Sequence, residues 1–559
     1  MNIYNQEAKT LFNGKNIYIF LGKDDGNERF LISAGAKWSE ELGSAYHQFS
    51  YKNEKIATIG RENEKENILE FLGKEDKFKI LIITGKAGTG KSRLVYYTLF
   101  KNEDVKKTWS VYGLNYDELQ YFTYENICRL TGKKIVKKKI LFVIDYVTIN
   151  AEQIGKWIKS LYSSNKEDDQ DICIRILLVE RAQLGEGREP YWYIKLVKEN
   201  RLDNLEVYKN IATMNLEDMS DQQLEEIFVM YIKTNEEKYK KGGIYPDYTQ
   251  CRKAGREIIE GLSDDRCKTP LYIMYIADVW INGNGNGKNK YNWKSNELLE
   301  YVVEKEDRKI KSLFNKDVSC ENAFKRILIF AMAFNGLKLK RKGFLDKEFE
   351  IIRNKSSDSS NLRNLFNEIG KLEDDKEITL KPVLPEIVCE YYFLRYLKNE
   401  MENSFDDKII EEIVQQAWKK DPKDFAGFLC RIIEDFPDHN LVTFESVLQE
   451  PAEVECMELY ADVLREYTYW NLDVSNYYET VCAIFDNLLN QINSVTIHEA
   501  HAVSLFNMIW WCQQNKSELA PYIKRIAKRI SRSCIPGKSC ISGSIICTIC
   551  NTIKEISQE

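Results

Sequence analysis

No run of about 18 apolar residues occurs in the 559-residue sequence. The stretches "KILFVID", "ILIIT" and "SIICTIC" are too short to cross a bilayer, so an integral helical membrane protein is not expected. Charge of one sign is also lacking. The 80 basic and 86 acidic residues leave a formal charge of -6, and no global field draws the chain to nucleic acid or an anionic membrane. Local patches stay open. The amino terminus, "MNIYNQEAKTLFNGKN", has neither the basic nor the apolar region of a secretory signal, and the 14 cysteines form no small-scaffold framework. The expected compartment is a reducing cytoplasm.

Complete metal motifs are missing too. "HEAH", with His498 and His501, is one residue short of the H-E-x-x-H zinc helix and reads as structural. Of Cys534, Cys540, Cys547 and Cys550 only the last pair is closely spaced, among apolar residues, as in a buried helix. The chain does hold ample core material, 43% hydrophobic with 30% charged residues, and its length suggests roughly three to five domains.

The strongest positive signal is "FKILIITGKAGTGKSRLVYYTLF". Ile80 to Thr84 read as a buried strand, Ser92 to Phe100 as the start of a helix, and between them lies G-x-x-x-x-G-K-S. Gly85, Gly88 and Gly90 let the backbone curl so that successive N–H groups face phosphate oxygens at a helix amino terminus. Lys91 supplies a cation for the β- and γ-phosphates and Ser92 a hydroxyl for Mg²⁺. The candidate cofactor-binding set therefore runs through Gly85, Lys86, Ala87, Gly88, Thr89, Gly90, Lys91, Ser92 and Arg93.

A loop of this kind works with a carboxylate at the end of a neighbouring apolar strand, which helps to hold Mg²⁺. "ILFVID" ends on Asp145, so Ser92 and Asp145 are the candidate metal-site residues and ATP or ADP with Mg²⁺ the expected cofactors. Motor ATPases usually place a glutamate after this aspartate to polarise water; here Tyr146 stands there, and neither Glu152 nor Glu180 matches the base position. Slow turnover is expected. A third strand, "DICIRILLVER", puts Arg181 at its carboxyl edge, where ligands of parallel sheets collect. It reads equally as a γ-phosphate sensor or as a surface arginine.

In this order the residues resemble the signal-transduction P-loop ATPases with numerous domains, the STAND family. "ATIGRENEKENILEFL" is similar to the family's lead-in segment, which implies an adenine-side role for Ile59, Gly60 and Arg61, with Glu62 beside them. "LFVIDY" and "RILLVERAQLGEGREPYWYIKL", with Arg181 and Trp192, resemble the bacterial members' elements. In "CKTPLYIMYIADVW", Pro270 and Leu271 resemble the Gly-x-Pro-Leu element of a helical lid, although Lys268 stands where the family has glycine. "LPEIVCEYYFLRYL", with Pro385, Glu386 and Glu390, looks like the winged-helix-associated pattern.

The fold expected is an α/β P-loop NTPase core, a parallel sheet flanked by helices, followed by a helical lid, a winged helix and a carboxyl-terminal α-helical, solenoid-like region. The expected boundaries are 1–56, a short amino-terminal segment or small adaptor; 57–215, the core; 216–318, the lid; 319–403, the winged helix; and 404–559, a helical sensor or interaction region. In the lid, Ser220 can cap a helix whose face carries Leu224, Ile227, Phe228 and Tyr231. "NGNGNGKN" follows a helix rather than a strand and reads as a flexible connection. The basic run "YIKRIAKRISR" reads as a solvated helix face.

The first 56 residues contain one strand, "NIYIFLG", and no catalytic set, so a small adaptor or a separate effector protein is implied. The resemblance implies a cytoplasmic ATP-dependent switch with Lys91, Asp145 and Arg181 as its catalytic set. It also implies homo-oligomerisation on activation and a trigger, protein or other, at the carboxyl-terminal helices. In bacteria that points to stress or anti-phage signalling. The rival readings are an AAA+-like ATPase acting on DNA and a non-hydrolysing nucleotide-dependent binding protein.

Overall fold

The computed structural model describes residues 17–21, 30–34 and 49, and from 58 to 467 all but 168–170, 182–189, 207–210, 237–246, 283–292, 341–344, 356–369, 405–407, 437–446 and scattered single residues and pairs. The "NGNGNGKN" loop after Asn282, the "HEAH" pair, the four carboxyl-terminal cysteines and "YIKRIAKRISR" lie outside the described residues. The chain divides into two compact units, 1–315 with 367–369, and 316–366 with 370–559.

The first unit begins with strands β1 (Ile17–Leu21) and β2 (Phe30–Ala34), paired antiparallel with Ile17 opposite Ala34. Only β1 is expected from the sequence. Helix α1 (Glu62–Gly73) then leads into β3 (Phe78–Thr84), and the chain continues through α2 (Lys91–Val95), α3 (Glu103–Thr108), β4 (Ser110–Leu114) and α4 (Tyr124–Gly132). Next come β5 (Lys139–Asp145), α5 (Ala151–Glu167), β6 (Cys173–Val179), α6 (Tyr191–Tyr193) and β7 (Ile211–Asn215).

These strands form one parallel sheet in the order β4-β5-β6-β3-β7. The three central strands are mostly apolar, broken by Lys79 in β3 and Arg175 in β6, because both sheet faces are covered by helices. Leu81, Ile83, Leu141, Val143, Leu177 and Val179 join Phe71 and Leu72 of α1 and Leu94 of α2 in one core cluster. Phe142 turns instead toward Phe122 and Trp157, with ring centroids 5.1 and 5.3 Å away.

Helix α2 is shorter than the sequence suggests. After Val95 the chain widens to a π turn over Tyr96–Phe100, where the Lys101 N–H donates to the Tyr96 carbonyl at 3.0 Å. The wider turn buries the bulky Tyr96 and Leu99 against α1 and β3.

The helical end of this unit comprises α7 (Asp221–Thr234), α8 (Tyr248–Glu260), α9 (Pro270–Asn282) and α10 (Ser295–Leu313). Ser220 closes a capping box with Gln223 at the start of α7, and Leu224, Ile227, Phe228 and Tyr231 are all buried, as the periodicity predicts. Asp278 of α9 is fully buried and accepts hydrogen bonds from Tyr231 at 2.9 Å, Tyr301 at 3.2 Å and Lys305 at 2.7 Å, which joins three of these helices.

The second unit contains α11 (Val318–Ala333), β8 (Leu337–Lys340), α12 (Asp346–Lys355), β9 (Gly370–Asp374) and β10 (Glu377–Leu380), with the strands antiparallel in the order β8-β10-β9. Consecutive helices α13 (Glu386–Ser404), α14 (Lys408–Lys420) and α15 (Pro422–Asp435) follow. Pro385 precedes α13 and Glu386 opens it. Glu390 is fully buried in it, paired with Arg431 of α15 at 3.0 Å.

Candidate functional site

The turn between β3 and α2 has the backbone that its glycines allow. Gly85, Gly88 and Gly90 stand at φ +155°, +80° and +96°, a region that a side-chain-bearing residue enters only at a cost. A methyl group on Gly88 would press within 3.0 Å of the Thr269 hydroxyl and 3.2 Å of Leu271. Beyond Gly90, which occupies the cap position of α2, the Leu94 N–H donates back to the Gly90 carbonyl at 2.9 Å. The Thr89 hydroxyl donates to the Lys86 carbonyl at 2.8 Å and ties the turn across itself.

Lys91 is buried at 8% exposure, and its ammonium donates to the carbonyl oxygens of Gly85 and, at 2.9 Å, Lys86. The positive charge is thereby held over the loop. Lys86 points outward to Asp218 at 3.1 Å, while Ala87 is half-buried. Arg93 lies along α2 with its guanidinium 4.8 Å from the Tyr97 ring, and burial lowers its pKa.

Ser92 and Asp145 meet: the serine hydroxyl donates to a carboxylate oxygen at 3.5 Å. One expectation needs correction. Asp145 is not on the strand next to β3, because β6 lies between β3 and β5. The inserted strand makes Arg181, rather than Asp145, the residue beside the first glycine of the loop. The Gly85 N–H donates to the Arg181 carbonyl at 3.3 Å.

Arg181 is buried, with its guanidinium 5.5 Å from the centre of the Tyr146 ring. Of the two readings of this arginine, a solvated surface position is thereby removed. Tyr146 stands at φ +63°, and its N–H donates to the Val179 carbonyl at 3.1 Å. The neighbouring Glu180 is occupied with structure. One oxygen accepts from the Thr148 N–H and hydroxyl, both at 2.9 Å, and the other from the Arg181 N–H at 2.7 Å. Glu152 pairs with Lys156.

The lead-in segment reaches the same place. Arg61 is 5% exposed and donates to the Thr89 carbonyl at 3.4 Å, to the Glu217 carbonyl at 2.9 Å and to Glu64 at 2.6 Å. Ile59 and Gly60 are half-buried, Gly60 at φ +65° with its carbonyl accepting from Gln223 at 3.4 Å. The α9 start closes the other side: Pro270 opens the helix, and the Leu271 N–H donates to the Gly88 carbonyl at 3.3 Å.

Trp192, by contrast, is buried at 1% exposure beside Tyr193, and its indole nitrogen meets no partner among the described residues. Gln223, Glu217 and Thr269 were not legible as site residues, since each acts through a contact distant in sequence. The capping pattern at Ser220-x-x-Gln223 was the one available signal.

No protein-family model matches the chain, and no curated protein matches it. Several solved structures are similar at low identity. A Signal Transduction ATPase with Numerous Domains (STAND) protein with a tetratricopeptide repeat sensor from Pyrococcus horikoshii is 12% identical, with 90% of this chain and 74% of that one covered and a TM-score of 0.28. An extended Hsp104–casein complex from S. cerevisiae is 13% identical at TM-score 0.29, covering 55% of this chain and 51% of that one, so the present chain spans about half the length of that relative. Domain III of the Thermotoga maritima replication initiation protein DnaA is 13% identical at TM-score 0.24, with 46% and 96% covered. The strand order, the glycine turn and the Ser92–Asp145 pair together make the first unit a P-loop NTPase fold, an α/β core with helices following it.

Proposed function

We propose that the protein is a nucleotide-dependent switch that binds ATP or ADP with Mg²⁺ in the β3–α2 turn. The observation that carries this reading is the hydrogen bond from the Leu271 N–H, at the start of α9, to the carbonyl of Gly88 in the turn itself. A helix that closes on the phosphate-binding loop moves when the loop's backbone moves. The residues fit the group: the turn has three positive-φ glycines and a helix amino end behind it, and Ser92 with Asp145 offers the hard oxygen donors that Mg²⁺ prefers. When bound, Mg²⁺ neutralises phosphate charge.

In this reading the turn's backbone and Lys91 bind the phosphates. Ser92 and Asp145 would hold the metal, Arg61 with Ile59 and Gly60 supports the base side, and α9 closes the site through Pro270 and Leu271. With Tyr146 after Asp145, Glu180 tied to Thr148 and Arg181, and Glu152 paired with Lys156, none of these three positions presents a carboxylate for activating water. Binding without rapid turnover suits a switch.

The proposal extends to the second unit and the carboxyl-terminal helices. The three-stranded sheet with α11 and α12 would serve as the winged helix, the helices from α13 onward would receive a trigger, and activation would build a homo-oligomer that engages a separate effector. A switch of this kind requires ATP and the trigger to prefer one state over the other. Lys91→Ala should lose nucleotide binding, read by calorimetry on the purified chain. Undiminished ATP affinity in that variant would overturn the site.

A further inference from the structure

A cavity of about 460 Å³ lies between α5 and the turn that follows the segment Ile194–Glu199, and none of the described residues lining it belongs to the nucleotide site. Lys156, Lys159, Ser160 and Ser163 come from α5, spaced so that they share one helix face, and Asn200 and Arg201 come from the turn. No carboxylate and no apolar residue is among these. The volume falls in the range of small-molecule sites, and the lining offers cations, hydroxyls and an amide.

The turn is fastened to the helix. Asn200 is 6% exposed, and its side-chain amide donates to the Glu152 carbonyl of α5 at 3.2 Å and to the Lys195 carbonyl at 2.8 Å. The Lys159 ammonium donates to the Asn200 carbonyl at 3.2 Å. Gly155 permits the approach, since a methyl group there would collide with the Asn200 amide and stand 2.5 Å from the Leu196 carbonyl oxygen. Arg201 follows at φ +54°, a position after a helical turn where glycine is usual, and its N–H donates to the Lys198 carbonyl at 2.9 Å.

The charges around the cavity do not balance. Lys156 pairs with Glu152. Lys159 commits one of its three donors to a backbone carbonyl, and Arg201 is exposed and pairs with no carboxylate among the described residues. Cations that share a cavity repel one another unless an anion joins them.

We infer that this cavity is a second ligand site, for a compact hydrophilic molecule that carries two or more phosphate groups. The Arg201 guanidinium suits the paired oxygens of a phosphate, Lys159 adds a point charge, and Ser160 and Ser163 donate from the helix face. A polar lining gives a nucleobase no platform, so the phosphates themselves carry the recognition. The formal charge of -6 provides no long-range field for an extended nucleic acid. The site is independent of the proposed nucleotide turn.

The experiment titrates inorganic pyrophosphate, and separately a bisphosphorylated hexose, into the full chain carrying Lys91→Ala, so that the β3–α2 turn does not compete. The same titrations are made with Arg201→Gly or Ser160→Asp added. One saturable site per chain is expected, with an affinity that falls as salt is added. Arg201→Gly should weaken binding about tenfold, the scale of a charge-assisted pair, while the thermal melt stays at the parent's value because glycine accepts the positive φ. Ser160→Asp places an acid on the cavity and should abolish binding. Tighter binding of pyrophosphate supports the site with an inorganic polyphosphate as its ligand, and tighter binding of the hexose supports it with a phosphorylated sugar.

Absence of saturable binding by either probe, or an unchanged affinity in both Arg201→Gly and Ser160→Asp, would overturn the proposal. Binding to the parent that vanishes in Lys91→Ala would put the anion in the nucleotide turn and overturn the second site while leaving the first standing. Displacement of pyrophosphate by single-stranded DNA would overturn the compact ligand in favour of an extended polyanion.

Discussion

Arg175 sits in the middle of β6 with no exposed surface, in a run whose other members are almost all apolar. Its guanidinium donates to the carbonyls of Phe71 at 3.2 Å, Lys74 at 2.6 Å, Asp76 at 2.8 Å and Ile174 at 3.1 Å, and lies 5.6 and 5.7 Å from the rings of Trp109 and Phe71. Two of these carbonyls belong to the end of α1, where a helix leaves its last oxygens without backbone donors. The arginine supplies them from a strand about a hundred residues later. Burial lowers its pKa, yet the cation is surrounded by acceptors that favour the charged form. Arg175→Met should cost about 3 kcal/mol, because a buried set of carbonyls loses its donors, and should lower the urea midpoint. An unchanged midpoint would show that the arginine is dispensable.

The same scale separates what was readable from what was not. Gly85, Gly88, Gly90, Lys91 and Ser92 are legible because phosphate binding needs them at fixed spacing along one short segment. Asp145 follows from the apolar run that ends on it. Arg175 and Glu180 have no such local signature. Each is defined by groups brought together only when the sheet forms, and Glu180, which lies near the site, accepts from Thr148.

Elements carry a second kind of constraint, visible in the helices after β7. On α10, burial raises the Glu306 carboxyl above its ordinary value of 4.5, and Lys309 at 2.5 Å opposes the rise. The folded state therefore keeps this proton to a higher pH than the unfolded chain does. The contribution is full below about pH 4.5 and is lost as pH rises through the folded value. Glu306→Gln should remove that fall, so that the melting temperature declines less than the parent's as pH rises above 4.5. A profile identical to the parent's would contradict the assignment. Periodicity and capping made α7 legible. The π turn after α2 and the strand β2 were not, since the first depends on how Tyr96 and Leu99 reach the core and the second on a partner strand.

At the scale of the whole molecule, the proposed switch predicts that nucleotide state alters assembly. The mass of the purified chain, measured by light scattering, is expected to rise with ATP and Mg²⁺ and a bound trigger, and to stay at the lower value with ADP. Equal masses in both states would reject the oligomerising switch. Among the described residues no helix is long and apolar enough to cross a membrane.

By itself the sequence determined the phosphate-binding turn, the strand ending on Asp145 and the succession from an α/β core to helices, because each depends on short-range spacing or on the apolar period of one segment. Tertiary structure alone decided that β6 enters between β3 and β5, that Gly88 carries the start of α9, and that Arg181 lies against Tyr146. Strand order and cross-element contact arise from packing distant segments together, and no local pattern encodes them. The tyrosine in the place of a second acid illustrates the division: its presence is a fact of sequence, and its partner is a consequence of the fold.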